Sequence, residues 1–341
     1  MEKNSQGLTN FANKRFSEII SEGFRLFFKN YRKLILPLAF FQLILIISDI
    51  LLLTDLKVYI NSIGVNVADL MTSVVEDTPL TASEWNLISE FLLLSVVLLF
   101  LQNLIGAIII TIAMCSVSNY ILKKLRGIDT NFFTSFKSSF NKKMFIVIFI
   151  IGILLPVSAI LLYIPAIMVF SIFIFLVFTY NNEDVEKPIS EARAIAKGMN
   201  NKLKIIGVFI FNFIIIFIFS FIYGLIIDFF LNPEVLYNYN LWLAPGTRNY
   251  GLLILYQILL NLVSIVLAPL FICLLTVLFA SLKDKKDLGF KYQRTYYSVK
   301  EEPTLISQDA DRFYCPYCGV LINKFRRFCP RCGENLSSLV K

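Results

Sequence analysis

The sequence predicts an all-α protein: a six-span transmembrane helical bundle with three interfacial amphipathic helices, followed by a small cysteine-bearing module. Three observations carry that expectation. The 341 residues are 57% hydrophobic and only 16% charged, where a soluble domain is near half apolar and a quarter charged. Apolar runs of bilayer length, about 20 residues each, recur along the chain. Basic residues alternate between crowded intervals and nearly empty ones.

Spans are expected at 34–54, 91–121, 144–160, 162–180, 205–230 and 251–282. The second and sixth exceed what a crossing needs, so they should tilt or protrude. Residues 144–180 hold no charge over 37 positions, too many for one span and barely enough for two. Pro156 and Pro165 flank a turn in "PVSAILLYIP", which favours a tight hairpin over an uninterrupted helix. A re-entrant pair is the competing reading. The first 32 residues are polar or amphipathic, so a cleaved leader is not expected.

Charge then orients the bundle. Lys and Arg number seven in 1–33, six in 122–143, five in 181–204 and twelve in 283–341. Segments 55–90 and 231–250 hold one each, Lys57 and Arg248. Thus 30 of the 32 basic residues fall on one side of a six-span chain, with both termini there. The positive-inside rule makes that side cytoplasmic and places the protein in the cell membrane. The net charge of +8 is then a topological signal. The outer loop 55–86 carries Asp55, Asp69, Glu76, Asp77 and Glu84, and reads as a solvated loop.

Each pair of spans follows a basic amphipathic segment. In "FSEIISEGFRLFFKNYRK" the apolar stripe is Phe16, Ile19, Ile20, Phe24, Phe27 and Tyr31. In "DTNFFTSFKSSFNKK" it is Phe132, Phe133, Phe136 and Phe140, after an Asp129 or Thr130 cap. In "KPISEARAIAKGMNNKLK" Ile189, Ala192, Ile195, Met199 and Leu203 align, with Pro188 tolerated in the first turn. Such helices lie in the interface, apolar side toward the acyl chains, or serve as connectors that anchor the bundle.

The first of these segments, running on as "FSEIISEGFRLFFKNYRKLILP", and the later "IPAIMVFSIFIFLVFTYNNEDVEKPISEARAIAKGMNNKLKIIGVFIF" carry a resemblance. Over roughly residues 12–282 the chain resembles the multi-pass membrane domain found beside some glycerophosphodiester phosphodiesterases. That family shows a Pro-initiated span, a short acidic loop, and an Ala-rich helix ending in Lys-Gly or Arg-Gly. Here the pattern falls on Pro165, Glu183, Asp184, Ala192, Ala194, Lys197 and Gly198. The Ser that members often carry before Lys-Gly is absent, Ala194 and Ala196 occupying the region. The resemblance implies a fold and no activity, because the phosphodiesterase chemistry belongs to a separate, histidine-dependent domain.

This chain has no histidine, which removes His ligands, His bases and His-dependent triads together. Asp49, Glu90 and Asp228 sit at the outward ends of spans. Gln42, Gln102, Asn103, Asn212, Gln257 and Asn261 lie deeper. Gln102 with Asn103, and Gln257 with Asn261, are expected to line a polar seam, as interhelical hydrogen bonds or as a substrate path. No nucleotide-binding Gly-rich loop, nucleophile elbow or acid pair stands out, and the chain reads as no enzyme. Cys115 and Cys273 read as packing residues.

Residues 283–311 read as a flexible cytoplasmic linker, and 312–336 as the module. Its motif is Cys315-Pro-Tyr-Cys318-Gly, ten residues, Cys329-Pro-Arg-Cys332-Gly. Gly319 and Gly333 permit tight turns, and four thiolates then converge on one structural Zn²⁺ with no open position. Two disulfides are the rival, disfavoured in a reducing cytoplasm. Val320, Leu321, Ile322, Phe325 and Phe328 are too few for a core without metal. The motif is similar to a short zinc ribbon. Lys324, Arg326, Arg327 and Arg331 offer a basic face.

Three functions follow. The first is a membrane scaffold whose ribbon docks a cytoplasmic protein. The second is a transporter or lipid-handling protein. The third, a membrane-tethered nucleic-acid binder, ranks last.

Overall fold

The computed structural model describes residues 13–75, 81–161, 163–181, 187–230, 238–239 and 241–299 of the helical part. In the tail it describes 312–315, 321–323, 328–329 and 335–336. The first helix, α1 (Phe16–Val75), runs unbroken for 60 residues, with Pro37 inside it. At 1.5 Å per residue that is about 90 Å, three times the hydrocarbon thickness of a bilayer.

Much of the expected outer loop 55–86 is therefore helix. Its charges hid a stripe at helical spacing: Ile63 and Val67 are buried against Ile88, with Phe91 and Leu94 packed beside them. Those partners belong to α2 (Ala82–Leu125), which returns antiparallel to α1. A capping box starts α2. The Thr81 hydroxyl accepts from the Glu84 amide at 3.4 Å, and the Thr81 amide donates to Glu84 Oε2 at 2.6 Å. Glu76 and Asp77 lie outside the described residues.

A short helix, α3 (Phe132–Ser139), follows, its first turn capped by Asn131. The chain then bends by 68°. It continues as α4 (Met144–Val147), a π-helical stretch over Ile148–Leu154, and α5 (Leu155–Leu161). Pro156 has no N–H to return to the preceding turn, and the wider π geometry before it accommodates that gap. Pro156 thus lies within the helical run, which extends to Leu161. After it come α6 (Tyr163–Phe173) and α7 (Leu176–Thr179), so the expected span 162–180 is interrupted at 174–175.

Next are α8 (Pro188–Ala196), α9 (Met199–Phe230), α10 (Tyr250–Leu260) and α11 (Leu262–Val299). The expected span 251–282 divides at Asn261, whose side-chain amide donates to the Gln257 carbonyl and competes for a helical acceptor. Among the described residues four helices are long and apolar enough to cross a membrane, or five if the bent pair Phe132–Ser139 and Met144–Ala159 forms one span.

Helix α11 also corrects the linker reading, since it runs on through residue 299 without a break. Residues 283–299 are polar but contain no proline, and a helix already nucleated in the bundle propagates through them at little cost.

The largest core lies at one end. It joins Ile19, Phe27 and Leu34 of α1, Val117 and Tyr120 of α2, Ala192 and Ile195 of α8, Ile205 of α9, and Leu274 to Leu282 of α11. The basic segments meet there. The Lys14 amide donates to Ser281 Oγ at 2.9 Å, and Lys204 Nζ donates to the Lys14 carbonyl at 2.9 Å. Arg126 stands 3.5 Å from Asp284, and Lys286 pairs with Glu191. Arg248 pairs with Asp55 away from this cluster.

Convergence of the basic segments decides the amphipathic helices. Their apolar faces are covered in part by protein, as the connector reading expects, with Phe16, Phe133, Phe140, Met199 and Leu203 left exposed. Gly23 of the first passes so close to α11 that a Cβ would sit 2.4 Å from Leu274 Cδ2 and 3.1 Å from Leu274 Cα. In the second, Phe132 packs on Tyr120 at 5.1 Å while Phe133 is exposed. The third stripe splits, because α8 ends before Gly198, at φ +100°, leaving Met199 and Leu203 exposed. The cause is competition: a neighbouring helix covers an apolar stripe as completely as acyl chains would.

Candidate functional site

In the tail, β1 (Arg312–Tyr314) pairs antiparallel with β2 (Leu321–Asn323), Tyr314 opposite Leu321. An antiparallel bridge joins Phe328 to Asn335. The first cysteine of each CPxCG knuckle therefore directly follows a cross-strand pair, Cys315 after Tyr314 opposite Leu321 and Cys329 after Phe328 opposite Asn335. The first cysteine of each is buried, Cys315 at 0% and Cys329 at 2% exposure, and Ile322 and Leu336 are buried with them. Cys318 and Cys332 lie outside the described residues, as do the basic side chains at 324, 326, 327 and 331. Among the described residues no group of three or more His, Cys, Asp or Glu converges.

Of the expected polar seam, only Gln102 bonds across to another helix. Gln102 Nε2 donates to Asp49 Oδ1 at 3.2 Å, and Asp49 is also paired with Lys57. The Asn103 side chain donates to the Leu99 carbonyl of its own helix at 2.8 Å. Gln257 and Asn261 likewise bond to each other. In place of the seam, a cavity of about 240 Å³ opens between α1, α2, α9 and α11. Its lining is apolar except for Gln42, Asn212 and Ser264. Asn212 is 9% exposed, and its Oδ1 has no hydrogen-bond partner. Gln42 and Asn212 were legible as deep polar residues, but their lining of one cavity depends on how α1 and α9 pack.

A second cavity, about 600 Å³, lies at the basic end between α2, α3 and α11. Lys123, Arg126 and Lys283 line it with Asn119, Thr130 and Asn181. The Asn119 side chain donates to Ser138 Oγ at 3.3 Å, and Asn181 Oδ1 accepts from the Asn141 amide group at 2.8 Å. Thr130 Oγ1 and Asn181 Nδ2 are buried without a partner. Asp284 is the carboxylate nearest Arg126, and its side chain is 4% exposed. Lys124 is turned away, donating to Asp129 Oδ1 at 2.8 Å. That bond holds the Asp129 carboxyl below its ordinary value.

The sequence reading passed over this cleft by treating its lysines and arginine as topology alone. A signal was present: Thr134, Ser135 and Ser138 form a hydroxyl face on α3 opposite its Phe stripe.

Compared with known proteins, the chain matches no family model, no curated protein and no solved structure. The site must therefore be read from its own geometry.

Proposed function

We propose that this chain is a non-enzymatic membrane scaffold, crossing the cell membrane six times with both termini cytoplasmic. Its C-terminal zinc ribbon docks a cytoplasmic protein. In this reading the four long helices supply four spans, the proline-containing hairpin over 144–180 supplies one further pair, and the family resemblance extends to fold alone.

The observation that carries the reading is the path of α11. Its residues Leu270 to Leu282 are almost wholly buried in the basic-end core, yet the same helix runs on to Val299. The well-packed bundle thereby extends as helix to within thirteen residues of Arg312, where the described part of the module begins, an arrangement that suits presentation of a docking surface. Cys315 and Cys329, each buried and each directly following a cross-strand pair, together with the CPxCG spacing suit tetrathiolate ligation of one structural zinc by Cys315, Cys318, Cys329 and Cys332.

The test has two arms. Purified protein should hold about one zinc per chain, and a Cys315→Ser, Cys318→Ser variant should hold none. Crosslinking in cells should then give a defined partner for the intact chain that the variant loses. Equal recovery by both would defeat the scaffold reading while leaving the metal result standing.

A second reading, transport or lipid handling, is favoured by the cavity at Gln42, Asn212 and Ser264. It requires water or substrate to reach that cavity. Labelling of Ser264→Cys by a small polar thiol reagent, above the wild-type background, is expected; its complete protection sinks the reading.

A further inference from the structure

We propose that the cleft at Lys123, Arg126 and Lys283 binds the phosphate of an anionic phospholipid headgroup. The inference does not use the ribbon and does not depend on which face of the membrane the basic end occupies.

Charge is the first support. Three cationic side chains line one cavity. Lys123 and Lys283 make no ion pair among the described residues, and Arg126 is only 3.5 Å from one buried carboxylate, Asp284. Asp287 lies within electrostatic reach of Lys283, so two carboxylates face the three cations. The cleft retains positive character because Lys124, which would otherwise claim no partner, already neutralises Asp129. A phosphate accepts from lysine as a point charge and from arginine through its fork.

Unused hydrogen-bonding capacity is the second. Asn181 Nδ2 is a donor and the Thr130 hydroxyl a donor or acceptor, both buried and both without partners. Buried polar atoms are normally satisfied, and two orphans lining one basic cleft indicate a ligand that supplies acceptors.

Depth selects the source of the phosphate. Lys123 lies two residues beyond the expected end of one span at 121, and Lys283 is the first residue beyond the end of another at 282. Both therefore stand where hydrocarbon gives way to headgroups. The rim is apolar as well, with Leu122 and the half-exposed Ile128 beside the polar floor. A soluble phosphate ester would have no use for that rim, whereas a lipid presents an acyl chain to it. The volume of about 600 Å³ suits a headgroup and its glycerol.

The experiment uses the full chain, delipidated in detergent and offered an equimolar mixture of phosphatidylcholine, phosphatidylglycerol and phosphatidic acid. Native mass spectrometry reads which lipid is retained. The wild type is expected to retain anionic lipid in preference to phosphatidylcholine. A Lys123→Gln, Lys283→Gln variant should weaken that retention about tenfold, the loss of two charge-assisted contacts. A Lys142→Gln, Lys143→Gln variant, which removes two exposed charges outside the cleft, should bind as the wild type does.

Asn181→Asp supplies an independent reading should the lysine variant fail to fold. It keeps the acceptor for Asn141 but points a negative oxygen into the cleft, and should also lower retention. Equal losses in the cleft and control variants would mean a diffuse basic surface and overturn the site. Retention unchanged in both Lys123→Gln, Lys283→Gln and Asn181→Asp overturns it too. Displacement of the lipid by inorganic phosphate at comparable concentration would reassign the cleft to a soluble phosphate and overturn the lipid assignment.

Discussion

At the basic end of the bundle, Ile205 and Val208 of α9 are fully buried. Further along the same helix, Phe217, Phe221 and Phe229 stand 60%, 59% and 84% exposed. Phe213, Phe217 and Phe221 even stack on one another as an outward ridge, at 6.3 and 6.4 Å. Helix α11 shows the same division: Leu262 and Val266 are exposed, whereas Leu274, Val277 and Leu278 are buried. In water such a ridge would be a defect. In lipid, burying phenylalanine against another helix yields no hydrophobic gain, so an apolar exterior costs nothing. The end bearing the charged segments packs as a soluble core does. Stability should therefore be concentrated at the basic end.

Substitutions can break that contrast or sharpen it. The largest effect is expected at Gly23, where a side chain would collide with the Leu274 backbone as well as its side chain. Gly23→Val should destabilise by about 3 kcal/mol or more, read as a lowered unfolding midpoint in detergent. Tyr180→Phe comes next. It removes one hydroxyl that donates toward both the Ser139 carbonyl, at 2.9 Å, and the Cys115 carbonyl, at 3.2 Å, and should cost about 2 kcal/mol.

Gly198→Ala tests the break between α8 and α9. Space is open around Gly198, but its φ of +100° strains any side chain, for about 1 kcal/mol. The smallest effect belongs to the outward ridge, where Phe217→Leu should stay within about 0.5 kcal/mol. A loss at Phe217 as large as that at Tyr180 would place a protein contact on the ridge and end the comparison.

Much of the fold was legible. Hydropathy located every long helix, because a bilayer-length apolar run has few other uses. Grouping the basic residues anticipated which segments meet, and Lys14, Arg126, Lys204 and Lys286 do meet at one end. Residues 55–75 were misread because charges such as Asp55 and Lys57 outweighed the Ile63 and Val67 stripe in a composition window. The linker was misread because helix propagation from a packed segment leaves no mark in hydropathy. The polar seam was reduced to Gln102 for another reason: Asn103 and Asn261 satisfied themselves on their own helices, a choice local sequence does not reveal.

By itself, the sequence determined the class of protein, the location of its apolar helices, the grouping of charge and the spacing of the four cysteines. Those properties are one-dimensional: they depend on which residues follow one another. Tertiary structure alone decided which parts of the amphipathic stripes face protein, that Gln42 and Asn212 line one cavity, and that Lys123, Arg126 and Lys283 share a cleft. Each depends on where helices cross. A crossing is set by the summed fit of many weak contacts, such as Gly23 against Leu274, which no single segment encodes.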